Sequence, residues 1–392
     1  MIALGARLAA RGHAVTLETW SRWRDHVEAE GMQFVAAPEY PVFPTREQPL
    51  QPYEAVVRAA AETRASVRDA APQVVVHDIL TLAPAMAGEL EGLPVATLIP
   101  HVHPAGAPGF PPYALGARLP RTTIGRTGWR AFAPLVELGL KRGRAELNDT
   151  RRRLGLPPVQ RLHGGLSTEL CIVGTFPQLE YPRRWPPETH VVGPLMWEMP
   201  YEEVAPPAGD EPLVLVTPST AQDPEQRLLA DALVGLRDAP VRVLATTNRK
   251  PLPQPVQVGA NSRLVEWISY SRAMPGAAVV ICHGGHGTLV RALACGAPVV
   301  VVPHSGDMAE NAARAEWAGA GVRLPWRLLS PRTLRLAVAR ALAEGSLAAR
   351  ARELAAWAAA HDGAEHAAAL VEQLALGGWS ELGGRMLAHE GD

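Results

Sequence analysis

Short runs of apolar, mostly β-branched residues punctuate this chain, at 14–19 (AVTLET), 73–77 (QVVVH), 94–99 (PVATLI), 213–217 (LVLVT), 241–246 (VRVLAT), 278–282 (AVVIC) and 298–302 (PVVVV). Runs so short and so nearly free of polar alternation predict strands covered on both faces. Between them, 53–71, 83–92, 225–238 and 334–345 carry apolar residues at helical spacing. Strands alternating with helices predict parallel α/β sheets. With 392 residues the chain has length for two domains. A Pro- and acid-rich stretch without period, 193–212 (GPLMWEMPYEEVAPPAGDEP), interrupts the pattern, which then begins again. The expected organisation is a first domain over 1–195, a linker over 196–212, a second domain with amphipathic C-terminal helices over 213–375, and a tail over 376–392. Two doubly wound domains facing each other place a ligand cleft at the carboxyl ends of their strands.

Charge and cysteine content narrow the partners. A formal net charge of -1 gives no general attraction to polyanions, so nucleic acid is not expected. Cys171, Cys282 and Cys295 form no C-x-x-C pair and no disulfide framework, which fits a reducing cytoplasm. No apolar stretch reaches the roughly 18 residues of a membrane span. The opening MIALGARLAARGHAV lacks a signal-peptide layout, so no stable membrane insertion is expected.

The most informative stretch is 282–288, CHGGHGT. If AVVIC is a strand and TLVRALAC a helix, HGGHG is the turn between the strand's carboxyl end and a helix amino terminus. Unpaired N–H groups and the positive end of the helix dipole then point at the turn. Gly284, Gly285 and Gly287 let a diphosphate approach the backbone, Thr288 adds a hydroxyl, and His283 can donate to the same phosphate as a leaving group departs. The same residues also suit a plain tight turn, or a metal pair at His283 and His286, although no further ligand lies nearby to complete a shell. Neither G-x-x-x-x-G-K-[ST] nor G-x-G-x-x-G occurs here, which removes kinase-like and nicotinamide readings. Asp307, after PVVVVPH, is placed either to accept from sugar hydroxyls or to cap the following helix. Trp267, in RLVEWIS, is placed to stack on a nucleobase or to fill a core.

Taken together these pieces are more specific than singly. Trp267, then sixteen residues on His283-Gly284-Gly285-x-Gly287-Thr288, then GAPVVVVP, then Asp307 and ENA resemble the carboxy-terminal signature of GT-B glycosyltransferases of family 1, particularly bacterial enzymes that decorate natural products. The resemblance covers nearly the whole chain. It implies a GT-B fold and a second domain holding a UDP- or dTDP-sugar. Trp267 and Ile268 would lie at the base, Ser219 and Thr220 with His283, Gly284, Gly285, His286, Gly287 and Thr288 at the diphosphate, and Asp307 with Met308 at the sugar. It also implies inversion at the anomeric centre without metal or cofactor, the nucleotide sugar being the co-substrate.

On the acceptor side, residues 6–20 (ARLAARGHAVTLETW) resemble the family's first helix and second strand, and Asp78 matches the aspartate that orients the catalytic base. In the family that base is a histidine in a G-H-x-x-P turn after the first strand. Here Met1 falls where the residue after that proline would stand, so the first strand and the base histidine are expected to be missing from this chain through a truncated or misassigned start. His13 sits at the opposite end of the sheet. His101 and His103, ending the 94–99 run, are the acceptor-side candidates, as base or as loop histidines. The donor side departs from the pattern too: Ser269-Tyr270 stands for Pro-Gln, Arg291 for a glutamate near the ribose, and Met308 for the glutamine after Asp307. The last loses a hydrogen-bonding partner for the sugar and leaves deoxysugars open.

The expected function is transfer of a sugar from a nucleoside diphosphate to a hydroxyl of a small, apolar, phenolic or polyketide-like acceptor, by a cytoplasmic protein compatible with a homodimer. Segment 104–130, rich in Pro and Gly, is expected to be irregular and to wall the acceptor. Alternatives are a nucleotide-sugar epimerase, a lipid-linked sugar transferase, for which 140–155 is the one basic candidate patch, and a non-catalytic nucleotide-sugar-binding or partner protein that has lost its base.

Overall fold

The computed structural model describes residues 1–38, 54–201, 203–219, 223–250, 252–304 and 306–377. Among these, the strands are β1 (Thr16–Thr19), β2 (Gln33–Ala36), β3 (Val75–Asp78), β4 (Val95–Ile99), β5 (Leu170–Val173), β6 (Thr189–Val191), β7 (Leu213–Thr217), β8 (Arg242–Thr246), β9 (Ser262–Val265), β10 (Val279–Cys282), β11 (Val299–Val301) and β12 (Gly321–Arg323). Every pairing between them is parallel. The α/β class read from the alternation is the one observed, with two Rossmann-like sheets. The apolar runs coincide or overlap with strands, whereas β2, β6, β9 and β12 are short or mixed, and β5, as apolar as β10, escaped the reading.

The second half is one six-stranded sheet in the order β12-β11-β10-β7-β8-β9. Its central strands are buried throughout because helices cover both faces. On one face Leu215, Val280, Cys282 and Val301 pack with Leu289 and Leu293 of the helix His286–Ala294. On the other, Val214, Val216, Ile281 and Val300 meet Leu229 and Leu233 of the helix Arg227–Leu236 and Leu334 and Val338 of the helix Pro331–Ala343. That last helix begins where the sequence says it should. Ser330 accepts from the Thr333 N–H at 3.2 Å, the Thr333 hydroxyl accepts from the Ser330 N–H at 3.0 Å, and Pro331 fills the first position, where a missing N–H does no harm.

The first half carries a four-stranded sheet, β3-β4-β5-β6, and a separate pair, β1-β2. Among the described residues no strand bridges β1 and β3. The helix Glu54–Ala70 reaches β1 instead, where the Thr63 hydroxyl donates to Glu18 at 2.7 Å. The last described helix, Gly363–Ala375, leaves the second sheet and lays Ala367, Leu370, Val371 and Leu374 against Leu98, Leu170 and Ile172 of the first, beside Leu4. Arg7, Arg11 and His13 pair with Asp362, Glu365 and Glu372 along the same seam. Segment 104–130 is irregular only as far as Thr122. The remainder enters the 31-residue helix Thr123–Arg153, because Thr122 caps it by accepting from the Gly125 N–H at 3.2 Å. Among the described residues, no helix is long and apolar enough to cross a membrane.

Two outcomes follow. Replacing Ser330→Ala removes the half of the capping box that accepts from the Thr333 N–H, leaves the backbone N–H of residue 330 donating to the Thr333 hydroxyl, and is expected to cost about 1 kcal/mol in equilibrium denaturation. His77 of β3 is buried, with Nε2 2.7 Å from the Thr97 hydroxyl, and burial holds its pKa below 6.5. A histidine with a depressed folded pKa contributes stability that is fully present above its unfolded pKa and is lost as pH falls below it. Denaturation from about pH 8 to about pH 5 should therefore show falling stability, with a flatter profile, by up to about one proton, in His77→Gln.

Candidate active site

The order of the six-stranded sheet reverses between β7 and β10: from β7 the chain steps outward through β8 and β9, then returns to β10 and steps the other way. Connections diverge at such a point and leave a crevice at the strands' carboxyl ends. Thr217 and Cys282 stand side by side as the last residues of β7 and β10, and the Thr217 hydroxyl donates to the Ile281 carbonyl at 2.9 Å. Directly beyond them lie buried Ser219 and the turn at 283–285; Thr220 falls outside the described residues.

That turn delivers the helix His286–Ala294 with Gly285 as its N-cap. Gly284 has φ +91°, and a Cβ on it would stand 2.9 Å from the Met308 carbonyl oxygen. A Cβ on Gly285 would stand 2.4 Å from His283 Nε2. The two glycines thus let the chain turn against the next loop and let the His283 ring lie over the helix amino end. Burial lowers the pKa of His283, opposed by the nearby Thr217 carbonyl and by the charges of Asp307 and Asp223. Its Nδ1 is buried and makes no hydrogen bond among the described residues. Gly287 is exposed with open space around it, and Thr288 is half-buried in the same first turn.

The structure separates the other predicted residues. His286 faces the first half rather than the crevice: its Nδ1 is 3.3 Å from Asn311 Oδ1 and its Nε2 3.3 Å from the Gly174 carbonyl. Burial, and then the charge of His101, lower its pKa to about 4. His283 and His286 therefore do not converge, and no group of three or more metal-ligating side chains occurs among the described residues. Asp307 opens the helix Asp307–Trp317 and is exposed, whereas Met308 is buried beneath it. Trp267 is half-buried two residues past β9, with its Nε1 unpartnered among the described residues. Ile268 is buried in the core, so only its backbone can face a ligand.

Several contacts escaped the sequence reading. Asn248 and Arg249, at φ +52° and +62°, bring the Arg249 guanidinium 5.0 Å over the Trp267 ring, and Tyr201 closes on that ring at 5.1 Å. Arg249 contributes through this strained turn, which no local motif announces. Asn311, in the ENA triplet, donates to the Gly284 carbonyl at 2.9 Å and so pins the turn. Arg291 donates to the Trp197 carbonyl at 2.8 Å and lies 3.9 Å from Glu198, whose carboxylate accepts from the N–H groups of Tyr270 and Ser271 at 2.6 and 3.0 Å.

Across the crevice, Asp78 ends β3 and accepts from the Leu80 N–H at 2.8 Å. Its charge reaches the amino end of the helix Ile2–Ala10. His103 is buried edge-on against Trp185 at 5.4 Å, and burial and the charge of Arg183 hold its pKa down to about 3. His101 is half-buried, with Nδ1 3.3 Å from the Tyr113 hydroxyl. Burial, and then the carboxylates of Asp307 and Glu310, push the Tyr113 pKa up, so this ring lies between an acceptor-side histidine and the donor-side helix.

Comparison with known proteins agrees with this geometry. Residues 228–374 match the model of the erythromycin biosynthesis protein CIII-like C-terminal domain. The chain is 29% identical to 4'-demethylrebeccamycin synthase of Lentzea aerocolonigenes, covering 95% of this chain and 96% of that protein. It is 30% identical to O-mycaminosyltylonolide 6-deoxyallosyltransferase of Streptomyces fradiae, over 99% of this chain and 95% of the relative. Solved structures share the fold: the glycotransferase of kitacinnamycin superposes with TM-score 0.73 at 20% identity, covering 95% and 94% of the two chains. Glycosyltransferase VinC in complex with dTDP superposes with TM-score 0.65 at 20% identity, covering 96% of each. With its crevice at the β7/β10 switch point and a relative this similar along its whole length, the chain belongs to the GT-B glycosyltransferases of antibiotic and natural-product biosynthesis.

Proposed function

We propose that this glycosyltransferase moves a sugar from UDP or dTDP to a hydroxyl of a small apolar acceptor, phenolic or polyketide-like, with inversion and without a metal. The observation carrying the reading is the His283 ring over the amino end of the helix His286–Ala294, with Gly285 lacking the Cβ that would displace it. A departing diphosphate brings negative charge to this point. Unpaired helix N–H groups and the imidazole supply the compensation that a divalent cation supplies elsewhere. Ser219, buried just past β7, completes the diphosphate side. Trp267 takes the base beside the Arg249 guanidinium, and its buried Nε1–H, unpartnered among the described residues, supports a polar group there.

Asp307, exposed at the mouth, accepts from a sugar hydroxyl. The apolar Met308 beside it offers no second partner, which favours a sugar with few hydroxyls. The acceptor oxygen attacks the anomeric carbon, the bond from that carbon to the diphosphate oxygen breaks, and the acceptor proton passes to a base on the first half. Asp78 is the carboxylate placed to hold such a base. Of the two loop histidines, His101 is the candidate, since His103 is buried and burial and the Arg183 charge make it a weak proton acceptor.

Calorimetric titration with dTDP and UDP tests the donor site. Gly285→Ala should weaken binding by at least about tenfold, the loss of one charge-assisted contact. Gly345→Ala, which opens another helix and also meets open space, should bind as the parent does. Equal binding by both variants would remove the diphosphate from this turn. In mass-spectrometric assays with dTDP- and UDP-sugars against phenolic and polyketide acceptors, His283→Ala and Asp307→Asn should each lower turnover about 100-fold while the folded spectrum is kept.

A further inference from the structure

The helix Asp307–Trp317 begins at the sugar end of the donor site, and its other charged side chains run into the acceptor wall. Arg314 is buried at 3% side-chain exposure, and so are its partners Glu180 and Glu310. Its Nε donates to Glu310 at 2.7 Å, its Nη1 donates to Glu180 at 3.1 Å and to the Leu179 carbonyl at 3.2 Å, and its guanidinium lies 3.6 Å over the Tyr181 ring. The other oxygen of Glu180 accepts the backbone N–H of His103 at 2.6 Å. One turn nearer Asp307, a Cβ on Gly116 would stand 2.9 Å from Ala309 Cβ, so segment 113–118 rests on the same helix. Glu316 pairs with Arg118 and Arg323 at 3.4 Å each, and Arg323 donates to the Gly116 carbonyl.

Stability does not explain this cluster. The Arg314 guanidinium bonds two buried carboxylates on which the Arg183 charge also acts, and Glu310 Oε2 has no partner among the described residues. Apolar replacements of such clusters are often neutral or stabilising. What the cluster supplies is direction: a planar fork with fixed donors locks a donor-side helix to the backbone of an acceptor-side loop.

We propose that Arg314 is a positioning residue: through Glu180 it fixes the loop of His101 and His103 relative to Asp307, so that nucleotide binding orders the acceptor wall over 101–118. The proposal rests on the donor-site reading above. Hydrogen exchange with and without dTDP or UDP tests it. In the parent chain nucleotide should slow exchange over 101–118 by about tenfold, within the usual range of coupling between sites. Arg314→Met and Glu180→Gln should abolish that slowing while nucleotide affinity stays within about threefold, and Arg314→Lys should restore part of it. Slowing retained in both variants overturns the proposal, since a merely structural Arg314 would raise exchange but leave the nucleotide effect in place. Should Arg314→Met fail to fold, the near-isosteric Glu180→Gln decides. Should the parent bind neither nucleotide in calorimetry, the donor-site reading falls and takes the coupling with it; nucleotide bound by the parent without slowing over 101–118 overturns the coupling alone.

Discussion

The reversal of strand order between β7 and β10 is the constraint on which the rest of this molecule depends. Parallel strands need crossover helices, and right-handed crossovers send helices on the two sides of the reversal to opposite faces of the sheet. The carboxyl ends of β7 and β10 are therefore left uncovered, although both strands are fully buried along their length. Every donor-side residue of interest lies just past one of these ends or in a neighbouring loop. The crevice results from how a parallel sheet is wound, and its chemistry from the few residues that follow each strand.

Within the crevice the decisive contacts are close approaches that only glycine allows. Gly284 turns against the Met308 carbonyl and Gly285 makes room for the His283 ring. Asn311 secures the arrangement by holding the Gly284 carbonyl with its amide and facing His286 with its oxygen. His286 in turn reaches the Gly174 carbonyl of the first half. The turn facing the donor is thus braced from behind by the contact between the two halves, and the helix Asp307–Trp317 extends that bracing to the acceptor loops. Donor and acceptor sides share one set of buried polar contacts, which makes their relative placement a property of side chains more than of the linker.

How far this was legible follows from the range of each interaction. β7, β10 and β11 stood out as nearly uninterrupted Val, Ile and Leu because both of their faces are covered. β6 is three residues long, and β2 has both ends exposed, so neither leaves a trace in a window. The helix at Thr123 was read as irregular because the Pro- and Gly-rich run before it dominates the composition, while a single Thr122 cap decides where it starts. His286 and His283, three apart in one motif, were placed at the same phosphate. His283 lies before the N-cap Gly285, in the turn that Gly284 takes at φ +91°, whereas His286 is the first helical residue, so one meets the crevice and the other the far domain.

The sequence by itself determined the α/β class, the glycine turn and helix start at 283–286, and the family to which these motifs point, because each depends on residues adjacent along the chain. Only the tertiary structure decided that His103 is buried and neutral while His101 faces Tyr113, that Arg249 covers Trp267, and that Arg314 joins Glu310 to Glu180. These contacts join residues many positions apart, and their existence depends on how two sheets and a returning C-terminal helix pack. Periodicity and spacing carry no record of that packing, since a side chain's partner across an interface is set by the orientation of whole elements.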